Sequence, residues 1–204
     1  MAMKTRSASR NGSSRQRDAI AILKEDHREV ERWFKAFEKT SDDATKERRR
    51  IVDTIIKDLS RHAAIEEQLL YPWARDFIVD IDDTVFEAFE EHRVVKFLLS
   101  ELATMDAGDE RFAAKTKVLT ESVRHHVKEE ESELFQYLRD VGTRGELLEL
   151  GHELELAKRT APTTPGLEGL LPAVGGGVGA ALDHARGIGR EALTRVGSLT
   201  GIGD

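Results

Sequence analysis

Between Asp18 and Lys39 the apolar residues Ile20, Leu23, Val30, Phe34 and Phe37 fall close to one face of a helix. "TSDDAT" then breaks the pattern, and Ser41, Asp42 and Asp43 are the expected N-caps of a second helix. That helix carries Ile51, Ile55, Leu59, His62, Glu66 and Leu69 at spacings of three and four, and Pro72 is expected to end it. "DIDDT" at 80–84 predicts the cap of a third helix from about Asp83 to Thr104. "MDAGDE" breaks that one, and a fourth is predicted from about Glu110 to Arg139. Amphipathic helices joined by short connections predict an all-α fold, an up-down-up-down four-helix bundle over residues 18–140.

Past Val141 the register changes. "GELLELGHELELAKRT" predicts an extra helix within 141–160, packed outside the bundle. Residues 161–204 read as a Gly/Pro-rich tail with at best a short helix, an appendage that docks on the bundle, binds a partner or stays loose, and a protein partner or a second copy is expected to meet the chain through 141–204. At the other end, "MAMKTRSASRNGSSRQR" has no acidic residue and no apolar stretch, so 1–17 is expected to be a disordered basic arm and not a secretory signal.

The pattern also repeats. "EDHREVERWF" followed by "RHAAIEE" is answered by "EEHRVVKFLL" followed by "RHHVKEEE": acid-His-Arg-x-Val, then His-x-x-x-Glu-Glu, each time. His27 to His62 spans 35 residues and His92 to His126 spans 34, which predicts an internal pseudo-two-fold relation between two helix pairs. Spacing of four puts His62 with Glu66, and His126 with Glu130, on one helical face. That face is the apolar one, and His27 lies in the apolar stripe of the first helix.

A lone histidine on an apolar face is usually a satisfied core residue, and a glutamate one turn away is usually solvated. Here four imidazoles and two carboxylates converge in matching register, and unpartnered buried carboxylates cost several kcal/mol. A metal site removes that difficulty. His125, one residue before His126, is expected to face away; His152 and His184 are expected in solvent; Trp33, Phe34, Tyr71 and Tyr137 are expected to pack.

Composition narrows the chemistry. The 204 residues include no cysteine, which excludes disulfides, thiolate metal sites and thiol nucleophiles. A net charge of −7 argues against general nucleic-acid binding, and no apolar run reaches the length of a membrane span, so a cytoplasmic protein is expected. An imidazole–carboxylate set in a helical bundle suits iron or manganese. Four imidazole nitrogens and two bridging carboxylates give eight donor atoms, fewer than the roughly twelve that two six-coordinate ions take. Positions are left over for water, an oxo or hydroxo bridge, and a small ligand.

The set "DH…HAAIEE…EH…HVKEEE", with "LYP" closing the second helix, resembles the hemerythrin-like (HHE cation-binding) domain family over about residues 18–140. The resemblance implies two non-haem iron ions, carboxylate- and oxo- or hydroxo-bridged, with His27, His62, His92 and His126 as terminal ligands and Glu66 and Glu130 bridging. Manganese is the other metal the donor set admits. Oxygen-carrying members have a fifth histidine where this chain has Lys96, which turns the expectation from O₂ carriage toward redox turnover. Glu31 holds the matching place after His27, so Glu31 and Lys96 are expected to pair, while Glu67 and Glu131 are candidate acceptors for imidazole N–H groups. The expected activity is reaction with H₂O₂, O₂ or NO, in the catalase or peroxidase sense, as in oxidative-stress detoxification. The alternatives are a non-enzymatic O₂, NO or iron sensor or store signalling through the tail, and a metal-free helical interaction module.

Overall fold

Asp18 starts the first helix: its carboxylate accepts the Ala21 N–H at 2.7 Å and satisfies one of the free donors of helix α1, Ala19–Glu38. The computed structural model describes residues 17–166, so the basic arm, apart from Arg17, and the tail from 167 onward, His184 included, lie outside the described residues. Helix α2, Thr45–Ile65, runs through a π turn at Glu66–Leu70 into α3, Tyr71–Phe77. Helix α4 is Asp82–Thr104. Helix α5, Phe112–Glu129, runs through a second π turn at Glu130–Leu134 into α6, Phe135–Val141. The α1, α2–α3, α4 and α5–α6 rods form the expected up-down-up-down bundle, with α1 on α2, α2 on α4 and α4 on α5.

Two local expectations change. Ser41, Asp42 and Asp43 do not cap α2, whose N-cap is Ala44; Ser41 instead bonds Asp43 at 2.5 Å and Asp42 holds Arg48 at 2.7 Å. Pro72 does not end the second rod. In the π turn the Tyr71 N–H reaches back five residues to the Glu66 carbonyl, and Pro72, which has no N–H to offer, sits in the first turn of α3. The inserted residue also moves the apolar stripe by one: Leu70 and Tyr71 are fully buried, whereas Leu69 is only partly so.

The core divides in two along the rods. One cluster holds Leu23, Ile65, Leu70, Val85 and Leu134; the other holds Val30, Ile55, Leu59, Leu99 and Leu119. Each site histidine lies between the two along its own rod, as His27 does between Leu23 and Val30. A polar layer is thereby walled on both sides by apolar side chains.

Helix α7, Arg144–Lys158, opens with a capping box between Thr143 and Glu146 and packs on α1 and α2 through Leu147, Leu150 and Leu154. It lies outside the bundle, as its amphipathic pattern predicts. Among the described residues no helix is long and apolar enough to cross a membrane.

Candidate metal centre

The polar layer contains His27 from α1, His62 from α2, His92 from α4 and His126 from α5, with Glu66 and Glu130 from the first position of each π turn. All six are buried. Their ligand atoms fall into two groups: His27, His62, Glu66 and Glu130 in one, Glu66, His92 and His126 in the other. Glu66 belongs to both, with Oε1 3.0 Å from His62 Nε2 and Oε2 3.4 Å from His92 Nε2. Glu130 reaches His27, at 3.2 Å, and among the described residues comes within ion-pair distance of no second imidazole.

The protonation pattern explains why this set suits cations. The Nδ1 atoms of His27, His92 and His126 stand 2.9, 3.0 and 2.7 Å from Glu131, Glu67 and Glu91, and His62 Nδ1 is 3.7 Å from Asp26. A proton held on Nδ1 by a carboxylate leaves the Nε2 lone pair pointing inward. Yet the Nε2 atoms of His27 and His62 face each other at 3.1 Å, as do those of His92 and His126. Two lone pairs that close require a proton or a metal ion between them. All four oxygens of Glu66 and Glu130 are buried with no aligned hydrogen-bond donor. Burial opposes charging His62, but Glu66 and Asp26 beside it override that and raise it to about 10. His92 is likewise raised to about 9 against the effect of burial, by Glu66 and Glu67. The layer demands positive charge, and the imidazole and carboxylate donors present fit metal cations.

Around this set the outer carboxylates are themselves held. Lys96 places its ammonium 2.6 Å from both oxygens of Glu67, and Lys24 lies 2.7 Å from Glu131. Lys158, from α7, pairs with Asp26. The expected Glu31–Lys96 pair does not form: Glu31 faces α5 and takes Arg124 at 2.9 and 3.0 Å, while Lys96 is engaged by Glu67. His125 points outward as expected.

A family profile described as Hemerythrin HHE cation binding domain matches residues 18–138. The chain belongs to this family. A hemerythrin-like protein of Schizosaccharomyces pombe, itself uncharacterized, is 27% identical over 144 residues, 70% of each chain. A protein of Nostoc sp. named a DNA nickase is 30% identical over 135 residues, but those span 66% of this chain and only 37% of that one. In fold, the chain is similar to a hemerythrin HHE cation binding domain-containing protein from Mycobacterium kansasii, with a TM-score of 0.61 at 23% identity over 83% of this chain and 99% of that one.

Three parts of this hemerythrin-type layer escape sequence reasoning. Asp26 and Glu91 belong to the repeated acid-His-Arg motif, but each faces the histidine of the neighbouring helix, not the one beside it, Glu91 within hydrogen-bond distance and Asp26 at 3.7 Å. The Tyr71 hydroxyl lies 3.2 Å from His92 Nε2. Burial, then Glu66 and Glu130, push that phenol well above its usual range, so it stays protonated. Because Glu67 orients His92, Glu67→Ala is expected to weaken metal affinity about 10- to 100-fold without lowering the number of ions bound at saturation. Equilibrium dialysis against a metal series checks this; unchanged affinity would show that Glu67 serves only Lys96.

Proposed function

We propose that the chain is a non-haem di-iron protein that consumes hydrogen peroxide, in the catalase or peroxidase sense, with O₂ and NO as the other small ligands its centre admits. The observation that carries this reading is the pair of facing imidazole sets, both in reach of Glu66, with four buried carboxylate oxygens that no hydrogen-bond donor satisfies. Such a shell leaves the layer few internal donors and much need of cations.

Pocket size favours a small substrate. The cavity over the four imidazoles measures about 220 Å³ and is walled by Val30, Leu59, Val95, Val123 and Val127. Sites for drug-sized molecules run to roughly 300–1,000 Å³. Catalase-type turnover balances without an outside reductant: one peroxide gains two electrons and two protons and leaves as two waters, while a second gives them up and leaves as O₂. Iron, when bound, supplies the two-electron reservoir for this exchange. The chain supplies the rest. His27, His62, His92, His126, Glu66 and Glu130 would hold the ions, and the valines keep bulk water away. Tyr71, with its protonated hydroxyl beside His92, is a buried hydrogen-bond donor. Lys96, where oxygen carriers have a fifth ligand, is paired to Glu67 and orients His92 indirectly.

A second reading, a sensor or store, draws on one contact. Lys158 at the end of α7 holds Asp26, which faces His62, so a change at the centre can reach the outer helix. Iron analysis with a peroxide assay separates the readings. About two irons per chain and O₂ released at one per two peroxides consumed support turnover. Two irons with no O₂, but altered proteolysis of α7 on peroxide or NO addition, favour the sensor. A chain that folds and binds no iron overturns both.

A further inference from the structure

Three of the four outer carboxylates are neutralised by a lysine: Glu131 by Lys24, Glu67 by Lys96, Asp26 by Lys158. The fourth, Glu91 on His126, is not. In the lysine's place stands His125, with Nε2 3.7 Å from Glu91 and 3.3 Å from Glu129, its side chain 62% exposed. His125, Glu91 and Glu129 bring one nitrogen and two oxygen donors within 4.8 Å of one another at the surface, outside the buried layer.

This triad flanks a second opening. A cleft of about 110 Å³ is lined by Glu87, Glu91, Glu129, Glu130 and Glu133, along with His126, and by no lysine or arginine. Among the described residues, none of Glu87, Glu91, Glu129 and Glu133 pairs with a lysine or arginine. Its inner end is Glu130, only 4% exposed, with neither oxygen hydrogen-bonded. Glu130 and His126 belong to different halves of the buried layer, so a cation arriving there meets a ligand of each. The larger cavity differs: its mouth mixes Asp26, Glu29 and Asp58 with Arg61 and Lys158 above valine walls. An acidic, lysine-free channel concentrates cations, whereas an apolar one of mixed charge suits a neutral ligand.

We infer that the Glu87–Glu133 cleft is the route by which divalent metal reaches the centre, with His125, Glu129 and Glu91 as the capture site at its rim. The inference rests on the metal-binding reading of the buried layer and assigns separate paths to cation and oxidant. Each capture residue offers a nitrogen or oxygen ligand suited to a hydrated divalent ion, and Glu91 is shared between the outer site and His126.

The test is anaerobic Fe²⁺ uptake by the metal-free full-length protein, followed by stopped flow at low micromolar metal. The double variant His125→Ala/Glu129→Gln should load at least about tenfold more slowly and still reach the wild-type ion count, because none of the buried ligands is altered. Glu133→Lys should slow it too, and added salt should slow the wild type more than the double variant. Glu29→Gln, at the other mouth, should load at the wild-type rate. Equal rates in wild type and the double variant, or equal slowing by Glu29→Gln, would overturn the route and leave the buried site standing. A wild-type protein that takes up no Fe²⁺ would overturn both.

Discussion

Replacing Glu66 by Ala is expected to abolish metal binding altogether, from about two ions per chain to none, while Glu130→Ala should keep about one. The difference follows from geometry. Glu66 stands within 3.4 Å of imidazoles in both halves of the layer, so its loss takes an oxygen from each position. Among the described residues Glu130 comes within ion-pair distance of His27 alone, so its loss weakens the group it shares with His27 and His62 and spares the group of Glu66, His92 and His126. Metal analysis of purified variants counts the ions. Thermal unfolding gives an independent check, since a ligand at 100 times its Kd stabilises the folded state by about 2.7 kcal/mol. Wild type should therefore melt higher when Fe²⁺ is added, and Glu66→Ala should not respond. Equal ion counts in the two variants would mean that both carboxylates bridge, as the symmetry of the repeat alone suggests.

That symmetry is what the sequence carries best. Amphipathic spacing and the duplicated acid-His-Arg and His-x-x-x-Glu-Glu motifs are enough to expect a bundle and to gather His27, His62, Glu66, His92, His126 and Glu130 on inward faces. Both π turns are invisible to the same reasoning, because one inserted residue leaves composition and propensity unchanged and only shifts the stripe, from Leu69 to Leu70. Pro72 points the wrong way for the same reason: a missing N–H is a helix stop in α geometry and costs little beside a π turn. The partner choices of Lys96 and Glu31 depend on which helix lies across from each, Glu67 on the α2–α3 rod and Arg124 on α5, and no spacing along one helix encodes that. Asp26 and Glu91 stand in the motif next to the histidines they do not serve. Their role appears only when α1 meets α2 and α4 meets α5.

Gly151 makes the strongest case for a residue whose role is readable only from packing, and Gly151→Val is expected to lower the melting temperature by about 5–10 °C. A Cβ on Gly151 would meet the Arg17 carbonyl oxygen at 2.5 Å and the Ala19 nitrogen at 2.8 Å. Both are backbone atoms at the capped start of α1, so neither can swing aside. Helix propensity pulls the other way, since glycine inside a helix costs about 0.8–1 kcal/mol relative to alanine. Overpacking of about 1–3 kcal/mol outweighs that gain, and valine, with lower propensity than alanine and two more methyl groups, leaves no ambiguity of sign. Helix α7 then has to lift from α1, exposing some of Leu147, Leu150 and Leu154, each worth about 1.5–3 kcal/mol when fully buried. Lys158 leaves Asp26 with it. The six candidate ligands all lie in the bundle, so the variant should melt earlier and still bind the wild-type number of ions. An unchanged melting temperature would mean that α7 does not sit against the start of α1. Loss of the metal along with the stability would instead make the docked helix, through Lys158 and Asp26, a condition for holding His62 in place.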